Sequence, residues 1–478
     1  MAGIGFRLRR LSEQDNLLAP VASIGHATVI ATGPWLFTVI ALALINMFTS
    51  TLVTDPVIEG FRLLAIYAFA ISLVATTPIV LVAMRLVGDA IYLRAYARIS
   101  SLFMAALLLS GAAAALSPLL IYTLVFPLPI DLLIAGVSSC AIIGLIWVSL
   151  AFCGAVRNYR AITIGFLVGL SVAVLGTVAA VSFGMRAAGM LWAFNAGLMI
   201  IFCCLTSQVL TTFSKPVTEF AEPVRVLAAG IRRFWRLALG GLLSAAAIWI
   251  DKWVIWLGPA GVVHETGLIH APVYDSAMFI AYLAIIPALS LFVTHVETTF
   301  FEKYKHYYSA ISNHATLRQI EQNARTLEQV TVRTLTHIVL VQAVLCAIVV
   351  LGAPSVIEAT GLHFQQIGIL RLGALGALFQ FMFLAASALL LFFERHSHFL
   401  FLQALFLALQ GGLTAMTVKL GTDYYGLGNL IVCVACGIFA LAILESTMRN
   451  LTFITFISNT IKNNTVDTKS PAGDLARS

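Results

Sequence analysis

Residues 213–234 read FSKPVTEFAEPVRVLAAGIRRF, a polar and basic stretch between two long apolar runs, 187–212 and 235–257. How those runs are read decides the fold. Each has the ~20 mostly apolar residues that a helix needs to cross a bilayer. Working outward from this linker, the chain shows six such runs before it and six after: 23–48, 62–84, 99–125, 131–153, 161–184, 187–212, then 235–257, 273–295, 333–353, 366–393, 398–419 and 425–447. Thr54-Asp55-Pro56, Phe126-Pro127-Leu128-Pro129, Gly258-Pro259-Ala260-Gly261 and Gly421-Thr422-Asp423 mark turns between runs. The expected fold is all-α: a polytopic membrane protein of about twelve transmembrane helices in two six-helix lobes. We expect a first lobe over 1–213, a linker over 214–234, a second lobe over 235–457 and a disordered polar tail over 458–478. An even number of spans per lobe orients both alike, which suits a parallel pseudo-two-fold about the membrane normal.

Composition supports this over its rivals. Of 478 residues, 60% are hydrophobic and 10% charged, where a soluble domain carries about 25% charged residues. Mean hydropathy is +0.98. A soluble enzyme, a disordered chain and a nucleic-acid-binding domain are excluded by these values, and the unbroken apolar runs exclude the short alternating strands of an outer-membrane barrel. The net charge of +7 reads as topology, not as a nucleic-acid partner. With the N-terminus in the cytoplasm, 23 of the 28 Lys and Arg residues fall in cytoplasmic segments. Arg186 and Lys419 alone fall in outer loops, while Arg62, Lys252 and Arg371 sit in or beside spans. Both termini are therefore expected in the cytoplasm, beneath a mildly acidic outer face. No cleavable signal is visible, because the first apolar run is too long for one.

Ionisable groups within a bilayer are costly and mark candidate sites. Asp251 and Lys252 lie about 16 residues into the seventh span, ~24 Å along a helix. Asp275 opens the eighth span and Arg371 lies near the outer end of the tenth, so the four are expected in one outer-leaflet layer. They read either as ion pairs locking helices together, or as the lining of a wet, sugar-binding substrate path between the lobes; snorkelling towards the interface is the third reading. Gly33-Pro34 should kink the first span, since Pro34 lacks a helix N–H. That kink is a gating candidate or a packing feature. Asn195 and Gln342 read as interhelical hydrogen-bonding groups, and Trp256 as part of the aromatic belt.

The segment 297–332 carries Phe300, Phe301, Tyr304, Tyr307, Tyr308 and Ile311 at helical spacing, then Leu317, Ile320, Leu327 and Val330 after a break near Asn313. These amphipathic helices read as lying on the bilayer or as a docking surface for a cytoplasmic partner. The seven cysteines fall in or beside apolar runs and read as buried hydrophobes. Neither disulfide nor metal site is expected, and the Cys433/Cys436 pair is weak as a ligand motif. There is no P-loop, no GxSxG elbow and no HExxH helix, hence no expected cofactor and no enzymatic constellation. Transport energy must come from an ion gradient or from a coupled synthesis machine.

The N-terminus Met1-Ala2-Gly3-Ile4-Gly5-Phe6-Arg7-Leu8-Arg9 precedes a span containing Thr32-Gly33-Pro34-Trp35. Later come Asp251-Lys252-Trp253, Tyr274-Asp275-Ser276-Ala277-Met278-Phe279, Tyr282-Leu283-Ala284-Ile285-Ile286-Pro287, and Val296-Glu297-Thr298 ahead of Phe300-Phe301-Glu302. In order and spacing these resemble the PelG family, inner-membrane transporters of the Pel exopolysaccharide system, from residue 1 to about 457. The resemblance implies the fold of the multidrug/oligosaccharidyl-lipid/polysaccharide exporter (MOP) superfamily, with two lobes around a central cavity. It implies export of a hexosamine-rich polysaccharide across the bacterial inner membrane, supporting biofilm matrix. It also implies as partners a cytosolic glycosyltransferase and inner-membrane subunits responsive to cyclic di-GMP. Where relatives are expected to carry Asp-Arg-Arg after the tenth span, this chain has Glu394-Arg395-His396. Two other readings stand beside the exporter: a non-transporting membrane scaffold for the synthase, and a cation-coupled small-molecule extruder of the same superfamily. The extruder would favour a carboxylate deep in spans 1–6, and none is seen there.

Overall fold

A bilayer offers no partners for backbone N–H and C=O groups, so a spanning chain pairs them within helices. In a computed structural model of the chain, the apolar runs do this. The structure describes residues 55–156, 159–214 and 221–456, with parts of 38–49. Gly33, Pro34, Trp35, most of the expected first span and the tail 458–478 lie outside the described residues. The helices are α1 (Asp55–Tyr92), α2 (Ala97–Leu120), α3 (Ile130–Val156), α4 (Tyr159–Ser182), α5 (Ala187–Thr212), α6 (Ala221–Arg233), α7 (Trp235–Ala247) and α8 (Ile250–Trp256). A two-stranded hairpin, β1 (Val262–Val263) and β2 (Ile269–His270), follows. Then come α9 (Pro272–Leu283), α10 (Ile286–His295), α11 (Phe301–Ser312), α12 (Leu317–Thr360), α13 (Gln366–Phe392), α14 (His396–Leu420) and α15 (Leu427–Arg449). Among the described residues ten helices are long and apolar enough to span a bilayer, and α7 with α8, bent by 46°, makes an eleventh.

These helices pack as two groups. In the first, α1 and α3 pack on each other and on both α2 and α5, and α4 lies against α5. In the second, α7 packs on α14, and α13 is central, touching α9, α12 and α15. Asn195 joins helices of the first group as expected: its Oδ1 accepts from Ser139 Oγ at 2.7 Å and its Nδ2 donates to the Ala135 carbonyl at 3.2 Å. Gln342 instead contacts Cys346 of its own helix.

The long helix α1 is the seam between the groups. At one end, called here the linker end, α1 packs against α6 and α7. Contact is close because Gly241 of α7 has no side chain; a Cβ there would stand 2.6 Å from Leu81 Cδ1. Arg85 of α1 also pairs with Glu394 in the α13–α14 turn at 2.7 Å. At the opposite, hairpin end, Tyr67 of α1 stacks on Trp256, ring centroids 5.1 Å apart, and donates to the Ile269 carbonyl at 2.7 Å. Trp256 is thus a buried joint between the groups and not part of an aromatic belt.

The amphipathic segment differs from expectation. It does not lie apart from the spans but extends two of them. A π-helical turn, Val296–Phe300, carries α10 into α11. No breaker separates the polar residues after Leu317 from the apolar run beyond Arg333, so both form α12, 44 residues or about 66 Å long. That is twice the ~30 Å hydrocarbon thickness. Between them the turn near Asn313 is where the sequence put it, with His314 left-handed at φ 54° and Thr316–Gln319 forming a capping box.

Candidate functional site

The seventh expected span breaks at Ile248–Trp249 into α7 and α8, and the charged pair sits just past the break. Asp251 falls in the first turn of α8, where the positive end of the helix favours a carboxylate. It is 1% exposed. Lys252 Nζ lies 3.2 Å from both of its carboxylate oxygens, and Tyr274 of α9 donates its hydroxyl to Oδ2 at 2.8 Å. The same Nζ donates to the Ile248 carbonyl at the break, 3.2 Å away. It also stands over the rings of Tyr282 and Trp249, at 5.1 and 5.8 Å. From Tyr282 the polar network continues to Asn429 (3.3 Å), whose Oδ1 also accepts from Gln410 at 2.8 Å.

Asp275 stands beside this network with a different task. Its Oδ2 accepts from the Ala271 N–H at 3.1 Å and from Trp256 Nε1 at 2.9 Å. It therefore caps the start of α9, where Pro272 supplies no N–H, and fixes the indole that stacks on α1. Around that stack the hairpin grips α1 further. His264 Nε2 lies 2.9 Å from the Pro56 carbonyl while its Nδ1 accepts from the Thr266 N–H at 3.1 Å, so the proton is on Nε2. His270 Nε2 lies 3.3 Å from Glu59 Oε1. Burial lowers the His270 pKa below the usual imidazole value; Glu59 opposes this, and His264 and Arg62 reinforce it.

Arg371 is not brought into the cluster. It is exposed on α13, and its Nε donates to the Val350 carbonyl of α12 at 3.1 Å. The partner has a cause in the sequence: Pro354 has no N–H for the carbonyl four residues back. Arg371 supplies the missing donor. The expected docking aromatics are likewise engaged inside the chain. Phe300 and Tyr307 are fully buried. Phe300 packs on Phe392 and Phe393, Tyr304 donates to the Phe392 carbonyl at 3.1 Å, Tyr307 to Thr455 at 3.3 Å, and Tyr308 lies against Tyr304. Phe301 is half-buried beside them. The outward face of α11 carries Glu302, Lys305 and His306 instead.

A buried ion pair beside a broken membrane helix, in a bundle of two helix groups, is the architecture of a transporter. The family described as "PelG: Putative exopolysaccharide Exporter (EPS-E)" matches residues 1–456. The chain belongs to the PelG family. It is a multi-pass membrane transporter, not an enzyme. Among solved structures, the chain is similar in fold to a MOP-superfamily transporter from Pyrococcus furiosus with a binding pocket of reversed polarity (16% identity, 89% of this chain and 96% of that one, TM-score 0.61). It is also similar to an outward-facing multidrug resistance transporter of the MATE family (16%, 89% and 96%, TM-score 0.60) and to a MATE protein in a bent conformation (15%, 96% and 98%, TM-score 0.61). At these identities the likeness concerns fold alone. No curated protein matches the sequence.

Proposed function

We propose that the chain exports a hexosamine-rich, Pel-type exopolysaccharide across the bacterial inner membrane as it is synthesised, and so supports biofilm matrix formation. The family match over residues 1–456 carries this reading. In it, both termini are cytoplasmic, as the distribution of Lys and Arg supports. Lobes 1–213 and 235–457, joined by 214–234, flank the polymer path. The path runs along the α1 seam and passes Lys252, which Asp251 and Tyr274 hold in place; Trp249 and Trp253 offer faces on which sugar rings stack. Glu59, Glu265 and Asp423 leave the outer rim acidic, which favours a neutral or cationic polymer over an anionic one. A cytosolic glycosyltransferase supplies the growing chain, and subunits responsive to cyclic di-GMP complete the assembly.

The test is hexosamine polymer measured inside and outside cells that lack the chain, or carry wild type or Asp251→Asn/Lys252→Met at matched membrane levels. Deletion is expected to abolish secretion, and the double variant, which leaves no buried charge unpaired, to reduce it with the assembly intact. Secretion that continues without the chain, or a secreted polymer free of hexosamine, overturns the proposal.

A further inference from the structure

At the linker end, the α6–α7 joint faces the α13–α14 turn across a cleft of about 270 Å³, lined by residues 233–236 and 394–398. The expected Asp-Arg-Arg position, here Glu394-Arg395-His396, falls in this turn. The cleft is slightly smaller than pockets for drug-sized ligands. Its charge is one-sided. Arg233, Arg236 and Arg395 all line it, and among the described residues none of the three pairs with a carboxylate. Arg233 and Arg236 rest on the rings of Phe234 and Trp235, at 5.3 and 5.5 Å. Arg236 Nη1 donates to Ser397 Oγ at 3.0 Å, and Arg395 Nη2 lies 3.3 Å from His398 Nε2. Arg395 Nε is buried and, among the described residues, has no hydrogen-bond partner. The one carboxylate present, Glu394, is held in ion-pair contact by Arg85, which also binds Asp89 at 2.6 Å. Two helices begin at the same cleft: α7 after Phe234 and α14 after Arg395, and neither first turn has a side-chain cap. α14 presents the positive end of its helix dipole to the cleft, whereas at α7 the end of α6 one residue earlier offsets it.

Three guanidinium groups line the cleft against one lining carboxylate, Glu394, which shares Arg85 with Asp89; the lining is net positive and favours an anion. Planar guanidinium forks match the oxygens of a phosphoryl group, and helix starts bind the same chemistry. We propose that this cleft is a binding site for a phosphoryl group, carried by a lipid headgroup or by a free phosphorylated compound. It lies where Glu394 and Arg85 tie the α13–α14 turn to α1, so its occupant borders the seam between the helix groups. The inference does not depend on which polymer is exported.

The full-length protein in phosphatidylcholine nanodiscs would be titrated with inorganic pyrophosphate at fixed ionic strength, by calorimetry. In parallel, phosphatidylglycerol retained by the protein from mixed vesicles would be counted by native mass spectrometry. The variants are Arg236→Gln and Arg395→Gln, with Arg318→Gln, exposed on α12, as control. Pyrophosphate binding weakened about tenfold or more by both cleft variants, but not by the control, identifies a free phosphorylated compound. Phosphatidylglycerol retention lost in the same two variants, without pyrophosphate binding, identifies a lipid headgroup. Should a glutamine variant fail to fold, Arg236→Lys, which keeps charge but loses the fork, replaces it and must weaken the same probe. Equal binding of both probes by wild type and cleft variants, or equal weakening by the control, overturns the proposal.

Discussion

Replacing Lys252 by methionine keeps the length of the side chain and removes its charge. Asp251, 1% exposed, then keeps only the Tyr274 hydroxyl at 2.8 Å. The Lys252 side chain is itself only 12% exposed, so solvent screens the pair weakly. Removing one partner of such a pair costs about 3–5 kcal/mol, because a charge stays buried without its counter-ion. Replacing both partners by neutral groups costs far less. Asp251→Asn with Lys252→Met still offers Tyr274 an acceptor and leaves no charge. We therefore expect the single variant to unfold about 3–5 kcal/mol more easily than wild type, and the double variant to recover most of that loss. Denaturant unfolding in detergent micelles, followed by tryptophan fluorescence, measures both. A Lys252→Met protein as stable as wild type, or a double variant no better than the single, would refute the assignment of Asp251–Lys252 as a buried, coupled pair.

Other expectations follow from the same geometry. Arg371→Leu leaves the Val350 carbonyl without its donor and should cost about 1–3 kcal/mol. Adding Pro354→Ala restores an N–H within α12 and should return most of it; equal loss in both backgrounds contradicts the pairing. His270 has a lowered pKa, so its neutral form stabilises the hairpin on α1. That stabilisation is full above the usual imidazole value of ~6.5 and is lost as pH falls below it towards the folded value. Hydrogen exchange of residues 262–270, corrected for intrinsic rates, should therefore quicken between pH 7.5 and 5.5. His270→Gln should flatten the response. Phe300 is fully buried, so Phe300→Ala should destabilise the isolated protein by about 3–5 kcal/mol. Unchanged stability with loss of a partner would restore it as a docking residue.

Much of the fold was legible because lipid imposes a simple rule: length and apolarity make a span. The sixth run, 187–212, matches α5 at both ends; the other described runs differ by a few residues except where α1, α11 and α12 run on past the apolar stretch, and most of the first run, 23–48, lies outside the described residues. Continuity was the weak point. Apolarity shows where a span leaves the bilayer but not whether the helix stops there, which is why the sequence suggests α11 and the start of α12 as separate helices, lying on the bilayer or docking a partner. The break at Ile248–Trp249 carries no Pro or Gly. Its only trace in the sequence is the charged pair just beyond. Of the candidate site, Asp251, Lys252 and Asp275 were visible as charges in apolar runs. Tyr274, Tyr282 and Asn429 were not, since a hydroxyl or amide in a span is ordinary until packing gives it a partner. Arg371 shows the opposite failure. Pro354 announced a free carbonyl at Val350, but only the packing of α13 on α12 reveals that Arg371 fills it. The hairpin, with two residues per strand, was too short to carry a pattern.

In the proposed mechanism polymer leaves along the seam between the helix groups, where α1 and the hairpin meet at one end. Gly60 of α1 and Thr266 of the hairpin test it directly. A Cβ on Gly60 would lie 3.6 Å from Thr266 Cγ2 and 3.0 Å from His264 Cε1, so cysteines at both positions can join once the His264 ring shifts by a few tenths of an ångström. Secreted polymer would be measured in cells carrying Gly60→Cys/Thr266→Cys, with each single variant as control, before and after reduction. We predict that the oxidised double variant stops secreting and that reductant restores it, while both singles secrete. Undiminished secretion with the crosslink complete would contradict the account.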